Sequence, residues 1–317
     1  MSKHLFGLIV TPHGTAANNR GENEGKNITT LQKILWNGDV HTTVSAEAIR
    51  WAIRYYWQQK GFPVNRKWNE DTNDHEWQDE DWLPWTDPNG KGKGKTTFID
   101  DDVMGFMLAE AGKAEGNEAE AESKGKKRQR VKGTCDKRRG ALEVTRVISL
   151  TPFAGDITFN AKSGEKSSTS LYGTEVHATR YQYGFALTPE WLREKSRTLD
   201  VVDAVASLSE VAGNQSRFLY DFSPEAALFR WTDDFAPRFL YGFKSSGDGI
   251  TLRDDVLHRV QAGDIDAKEL VVGGAVAGSA WGKTLKDQGA IVLDGVKAAA
   301  EEIKKRICAD LGLKWRR

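Results

Sequence analysis

Residues 37–61, NGDVHTTVSAEAIRWAIRYYWQQKG, constrain the fold of this chain more than any other stretch. Ile49, Ala52, Ile53, Tyr56 and Trp57 recur at helical spacing, so a helix over 44–60 carries one apolar stripe that has to be buried. Thr43 or Ser45 is placed to cap its first turn, where Glu47 suits the positive end of the helix dipole. Uncapped amides at that start, beside His41, Thr42, Thr43 and Ser45, would form a seat for a phosphate. Arg50 and Arg54, one turn apart, would extend it. The same residues also make an ordinary capped surface helix with solvated arginines, and taken alone the run favours that plainer reading.

The rest of the chain reads as mixed strands and helices. Residues 4–11 form a buried strand ended by Pro12 and the stretch HGTAANNRGENEG. After the 44–60 helix, residues 61–97 are turn-rich, with Trp68, Trp77, Trp82 and Trp85 as the local core of an insertion. FIDDDVMGFMLAEAG predicts a second helix with Asp100 or Asp101 as N-cap. Residues 112–133 are poor in apolar groups, and a disordered charged loop is expected over 112–139 within the insertion. EVTRVISLTP, GDITFNAK and HATRYQYGFALTP are strand-like, and the polar KSGEKSSTSLYGTE between the last two suits a long hairpin arm. Helices follow at 189–195 and at 199–212, the latter stopped by Gly213. RFLYDF, AALFRWT and RFLYGFK are further strands. A helix over 252–262, a strand at 269–272, a glycine-rich loop and a helix over 294–311 complete the chain. The order strand, helix, two strands, helix, strand is that of an α+β, ferredoxin-like (RRM-like) fold with large insertions.

Net charge excludes little, since 45 basic residues balance 45 acidic ones. Its distribution is uneven. Residues 70–87 hold eight acids and no Lys or Arg, whereas 124–139 hold nine bases against Asp136 alone. Separated patches of this kind suit local binding of a polyanion or head-to-tail contact between copies. The two cysteines, Cys135 and Cys308, argue against a disulfide framework or a cysteine-rich zinc site. The apolar run at 5–10 is too short for a signal peptide or a membrane span, so a soluble cytoplasmic protein without a membrane partner is expected.

Five segments in order carry a family resemblance: LFGLIVTP at 5–12, HTTVSAEAIR at 41–50, FIDDDVMGFM at 98–107, TEVHATRYQYGFAL at 174–187 and AGNQSRFLYDFSPEA at 212–226. Together they resemble the backbone subunit of type I CRISPR Cascade complexes, in the DevR autoregulator family of the RAMP superfamily. The resemblance implies a ferredoxin-like palm from residues 1–60 and 140–317. It further implies helical fingers inserted at 61–139, a web of loops, and a thumb hairpin at about 158–179. It implies copies aligned head to tail along a CRISPR RNA, beside other Cascade subunits, with target DNA read through the guide. Neither catalysis nor a cofactor or metal is expected.

The RNA-binding set expected on this basis is Asn18, Asn19, Arg20, His41, Thr42, Thr43, Ser45, Arg50, Arg180, Asn214, Ser216, Arg217 and Lys283. Lys126, Lys127, Arg128 and Arg130 form a basic loop near the nucleic acid, or else a solvated one. GNQSR at 213–217 is either a helix stop or a set of backbone donors.

Two other functions compete. A metal-dependent endoribonuclease acting on target RNA would use His13, His41 and His177 with Asp39, although the six histidines show no metal-ligand spacing such as HxxxH. A nucleotide hydrolase would use AGSAWGKT at 277–284, a relaxed phosphate-loop pattern, with IVLD at 291–294 as its second strand. Only six residues separate Thr284 from Ile291, and a parallel crossover needs about 10–12. That spacing argues against the hydrolase and leaves a loop with Lys283 near RNA phosphates. The three consecutive acids at 100–102 read as capping and dipole compensation rather than as metal ligands.

Overall fold

The computed structural model describes residues 2–17, 23–24, 28–78, 98–110, 134–161, 171–211 and 220–315. Its first strands are β1 (His4–Val10), β2 (Gly14–Ala17), β3 (Asn23–Glu24), β4 (Ile28–Thr29), β5 (Lys33–Trp36) and β6 (Asp39–Val44), followed by α1 (Ala46–Gln59). The hairpin β7 (Arg66–Asn69) and β8 (Asp74–Trp77) precedes α2 (Ile99–Met104). Then come β9 (Gly105–Glu110), β10 (Thr134–Arg139), β11 (Leu142–Val144), β12 (Val147–Ser149), β13 (Ile157–Ala161), β14 (Leu171–Thr179) and β15 (Tyr181–Leu187). The last part holds α3 (Arg197–Ser207), β16 (Ala226–Thr232), β17 (Phe243–Ser246), β18 (Gly249–Leu252), α4 (Asp254–Gln261), β19 (Leu270–Gly274), α5 (Ala280–Asp287), β20 (Ile291–Leu293) and α6 (Val296–Leu311).

The principal sheet runs β20-β19-β16-β1-β15-β12-β6-β5, with β11 also on β15. β1 lies between β15 and β16, antiparallel to both, with Gly7 opposite Phe185 on one side and Phe229 on the other. Alternation along β1 divides the core in two. Leu5 and Ile9 pack under α1, α3 and α6 with Ile53, Trp57, Val201, Val205 and Ile303. Phe6, Leu8 and Val10 face a second cluster containing Phe243 and Leu252 of the β17–β18 hairpin, Val256 of α4 and Leu285 of α5. With both faces covered, every residue of β1, β16 and β19 is buried. Each such Leu, Val, Ile or Phe contributes about 1.5–3 kcal/mol. Gly7 is dictated by packing, because a Cβ there would overlap the ring of Phe185.

The acidic run departs from the capping reading. Phe98 is the N-cap of α2 and makes no side-chain cap bond, and Asp100, Asp101 and Asp102 are all buried. The helix ends at Gly105, whose φ of 67° suits glycine, and the chain continues as β9 rather than as helix. β9 pairs with β10, so the end of the basic run is strand. Arg138 is bound to Asp102 and Arg139 to Glu143, which removes both from the expected loop.

Other boundaries also shift. HATRYQYGFALTP divides at Arg180 between β14 and β15. Residues 189–195 hold only the short 3-10 turn Pro189–Trp191. α3 stops at Ser207, ahead of residues 212–219, which lie outside the described residues together with the expected stop at Gly213. Tyr220 and Phe222 serve as buried aromatics without joining a strand. In RFLYGFK the strand begins only at Phe243, after a turn with positive φ at Arg238 and Tyr241.

β19 and β20 are parallel, with Val271 opposite Ile291. The spacing argument against a crossover is therefore overturned: the connection starts at Gly274, not at Thr284, and contains all of α5. Other geometry opposes a phosphate loop. Gly282, Lys283 and Thr284 lie inside α5, where the Ser279 hydroxyl caps the Gly282 amide. The Ala277 and Ser279 amides donate to Gly274 and Val276 carbonyls, and the Thr284 hydroxyl donates to the Ala280 carbonyl. Lys283 is exposed on a helix rather than in a loop.

Candidate nucleic-acid interface

β6 delivers His41, Thr42 and Thr43 to the mouth of α1, and all three are buried. His41 Nδ1 lies 2.8 Å from the Ser149 carbonyl. Thr42 Oγ1 lies 2.7 Å from His177 Nδ1 and 2.8 Å from the Tyr181 hydroxyl. Thr43 Oγ1 accepts from Arg146 at 3.2 Å. Ser45 Oγ accepts from the Ala48 amide at 3.2 Å, so the helix start is capped rather than open. The sequence-predicted group is assembled in one place, but its hydroxyls face inward.

His41 and Thr42 belong to a polar network at the base of the β13–β14 hairpin. Thr151 Oγ1 lies 3.3 Å from His177 Nε2 and 2.7 Å from Thr179 Oγ1. Thr11 Oγ1 meets the Tyr220 hydroxyl at 2.7 Å and accepts from the Tyr181 amide. Burial lowers the His177 pKa and raises those of Tyr181 and Tyr220, which keeps all three neutral near pH 7. Phe153 packs edge-on against His177, with the Lys33 ammonium 4.8 Å from its ring centre. His13 and Asp39 are exposed, whereas His41 and His177 are held inside this network. Among the described residues no three His, Cys, Asp or Glu side chains converge as metal ligands.

Arg50 turns away from the helix mouth and donates to the Met104 carbonyl. Glu47, Arg50 and Arg54 form one stripe of α1. With Arg66 of β7 and Arg138 of β10 they line an open cleft of about 370 Å³, floored by Met104, Gly105, Phe106 and Met107. The carboxylates of α2 hold these arginines from behind. Arg54 donates to Asp100 at 3.1 Å, Arg138 to Asp102 at 2.7 Å, and Asn65 to Asp101 at 2.8 Å. Burial, then the neighbouring Arg66 charge, lowers the Arg50 pKa; burial likewise leads the lowering at Arg54. Arginines that repel one another around a cavity are an arrangement that an oxyanion relieves. Sequence reasoning grouped Arg50 with Arg54 but missed Arg66 and Arg138, which come from separate elements. Two half-exposed tryptophans flank this region: Arg66 lies 5.0 Å from the ring centre of Trp77, and Arg139 4.3 Å from that of Trp191.

The hairpin β13–β14 pairs Ile157 with Glu175, Phe159 with Gly173 and Ala161 with Leu171. Ile157, Phe159 and Leu171 thus share a face, and all three are exposed. Arg180 is engaged by Glu225 at 2.6 Å. Asn18, Asn19, Arg20, Lys126, Lys127, Arg128, Arg130, Asn214, Ser216 and Arg217 lie outside the described residues. Trp68 packs edge-on against Trp51 of α1, while Trp82 and Trp85 lie outside them.

Comparison with known proteins completes the description. No family model matches the chain. It is 47% identical over 320 residues to the CRISPR-associated protein Cas7/Cst2/DevR of Myxococcus xanthus strain DK1622, covering 97% of this chain and 98% of that one. A chain of a CRISPR RNA-guided surveillance complex in a pre-nicking state superposes with a TM-score of 0.55 at 10% identity, covering 96% of this chain and 100% of the other. A chain of another CRISPR RNA-guided surveillance complex gives 0.52 at 13% identity, covering 95% and 99%. At those identities the solved structures speak for the fold.

Proposed function

We propose that this chain, which belongs to the Cas7/Cst2/DevR family of CRISPR-associated proteins, is a non-catalytic RNA-binding subunit that lines up head to tail along a guide RNA and supports recognition of target DNA. The observation that carries this reading is the arginine-lined cleft between α1, β7 and β10. Its guanidiniums suit phosphodiesters, which fix position without reading sequence. The order β16-β1-β15-β12, with α1 and α3 on one face, supports a ferredoxin-like palm. The β13–β14 hairpin, with its exposed apolar face, suits the thumb.

Of the residues expected from sequence, Arg50 remains the strongest candidate for direct RNA contact. Thr42 instead braces the base of the hairpin through His177, while His41 meets Ser149, Thr43 accepts from Arg146 and Ser45 caps α1. Lys283, exposed on α5, and Arg180, paired with Glu225, are candidates of second rank. Purification from cells carrying the matching CRISPR array tests the reading. Co-purifying RNA of uniform length and a strong absorbance at 260 nm are expected. Protein that emerges free of nucleic acid and binds no single-stranded RNA at physiological salt would overturn it.

A further inference from the structure

We propose that Asp101 links the arginine cleft to the proton: a phosphodiester seated among Arg50, Arg54, Arg66 and Arg138 draws a proton from solvent onto the Asp101 carboxylate, so polyanions are held more tightly on the acid side of neutrality. The inference rests on the RNA-binding reading above and adds a regulatory property to the same cleft.

Asp101 is wholly buried in α2, and only one of its oxygens has a partner. Oδ2 accepts from Asn65 at 2.8 Å, while Oδ1 has none. A buried, half-satisfied carboxylate is costly as an anion and less so as an acid. Its neighbours decide the balance. On α2 itself, Asp100 is committed to Arg54 and Asp102 to Arg138 and Arg197. From α1 come Glu47, Arg50 and Arg54, from β7 Arg66, from β8 His75, from β10 Arg138 and from α3 Arg197.

Burial, then the Asp100 charge, pushes the Asp101 pKa up to about 7; the Asn65 hydrogen bond and the Arg66 and Arg54 charges pull it back. Those two arginines also line the cleft. A phosphate that takes up their field weakens what keeps Asp101 ionised, so its pKa rises further on binding. By linkage, proton binding and phosphate binding then favour each other by the same factor. His75 titrates nearby, its own pKa lowered by burial and by Arg54, and the experiment has to separate the two.

The test measures binding of a labelled single-stranded RNA at about pH 6 and about pH 8 for the wild type, Asp101→Asn and His75→Asn, at one ionic strength. The wild type is expected to lose about fivefold in affinity across that span, since a rise of one pKa unit on binding, from about 7, reaches its tenfold limit only over a wider range. Asp101→Asn is expected to bind equally well at both pH values, matching the wild type on the acid side, while His75→Asn keeps the dependence. No RNA binding by the wild type at either pH would defeat the RNA reading itself. Binding that does not change with pH would defeat only the proton link, as would a dependence that survives in Asp101→Asn. Should that variant fail to fold, calorimetry of RNA binding by His75→Asn near pH 7 in buffers of different ionisation enthalpy decides the matter: proton uptake supports the link, and none overturns it.

Discussion

Asp102 and Arg197 meet at 2.7 Å although 95 residues separate them in sequence. The other carboxylate oxygen of Asp102 accepts from Arg138, again at 2.7 Å, and the Arg193 and Glu194 amides donate to the same side chain. One buried acid therefore pins α2, β10 and the approach to α3 together. Removing it takes away the carboxylate that two guanidiniums share, one buried and one nearly so, and leaves Arg197 to Glu194 and Arg138 to the Trp191 carbonyl. Asp102→Ala is expected to lose about 3–5 kcal/mol of stability in a denaturant titration. A loss below about 1 kcal/mol would mean the arginines find other partners.

Asp101 makes an opposite prediction. Its folded pKa of about 7 lies above the ordinary carboxylate value, so its contribution is full below about pH 4 and is lost as pH rises through 7. Asp200 of α3, raised to about 6 mainly by burial, acts in the same direction. Asp101→Asn should therefore be more stable than the wild type at about pH 8, by about 1–2 kcal/mol, with the difference shrinking toward pH 5. Thermal melts at both pH values check the sign.

On the proposed reading, Arg50 and Arg66 serve nucleic acid first and the fold only secondarily. Replacing both with Gln should weaken binding of single-stranded RNA. It should also flatten the slope of log affinity against log salt by about 1.4, the share of two phosphates. An unaltered slope would remove both residues from the interface.

Gly7 is a test of packing. Gly7→Ala forces a methyl group into the ring of Phe185, which is buried and cannot swing aside. A loss of about 1–3 kcal/mol is expected, and Phe185→Leu in the same chain should restore part of it.

Phe159 separates assembly from stability. It is 76% exposed on the hairpin, so Phe159→Ser should leave the denaturation midpoint nearly unchanged. If the hairpin is the thumb, the same change should impair ordered arrays on RNA, visible by electron microscopy. Arrays indistinguishable from wild type would assign that face another role.

What the sequence revealed was local. The 3.6-residue stripe of α1 and the continuous apolar runs of β1 and β16 stand out because each is defined within a single window. The acidic run misled because its partners Arg54, Arg138 and Arg197 arrive from three other elements, and consecutive acids look the same whether they cap a helix or anchor a core. Thr42 and His177, 135 residues apart, carry no spacing that could announce their contact. The β19–β20 crossover was misjudged by counting from a motif instead of from the strand's end.

The covering of the principal sheet on both sides has a consequence for what a guide can be. RNA-recognition sheets that distinguish bases do so on an open face, where aromatics stack against them. Here β17, β18, α4 and α5 cover β1, β16 and β19 on the face opposite the long helices, so among the described residues the middle of the sheet offers no open floor on which to spread a strand's letters. On the proposed reading, a strand in the cleft is gripped by its backbone, and one protein serves every spacer in an array equally. A memory that must keep taking in unfamiliar text benefits from a holder indifferent to spelling.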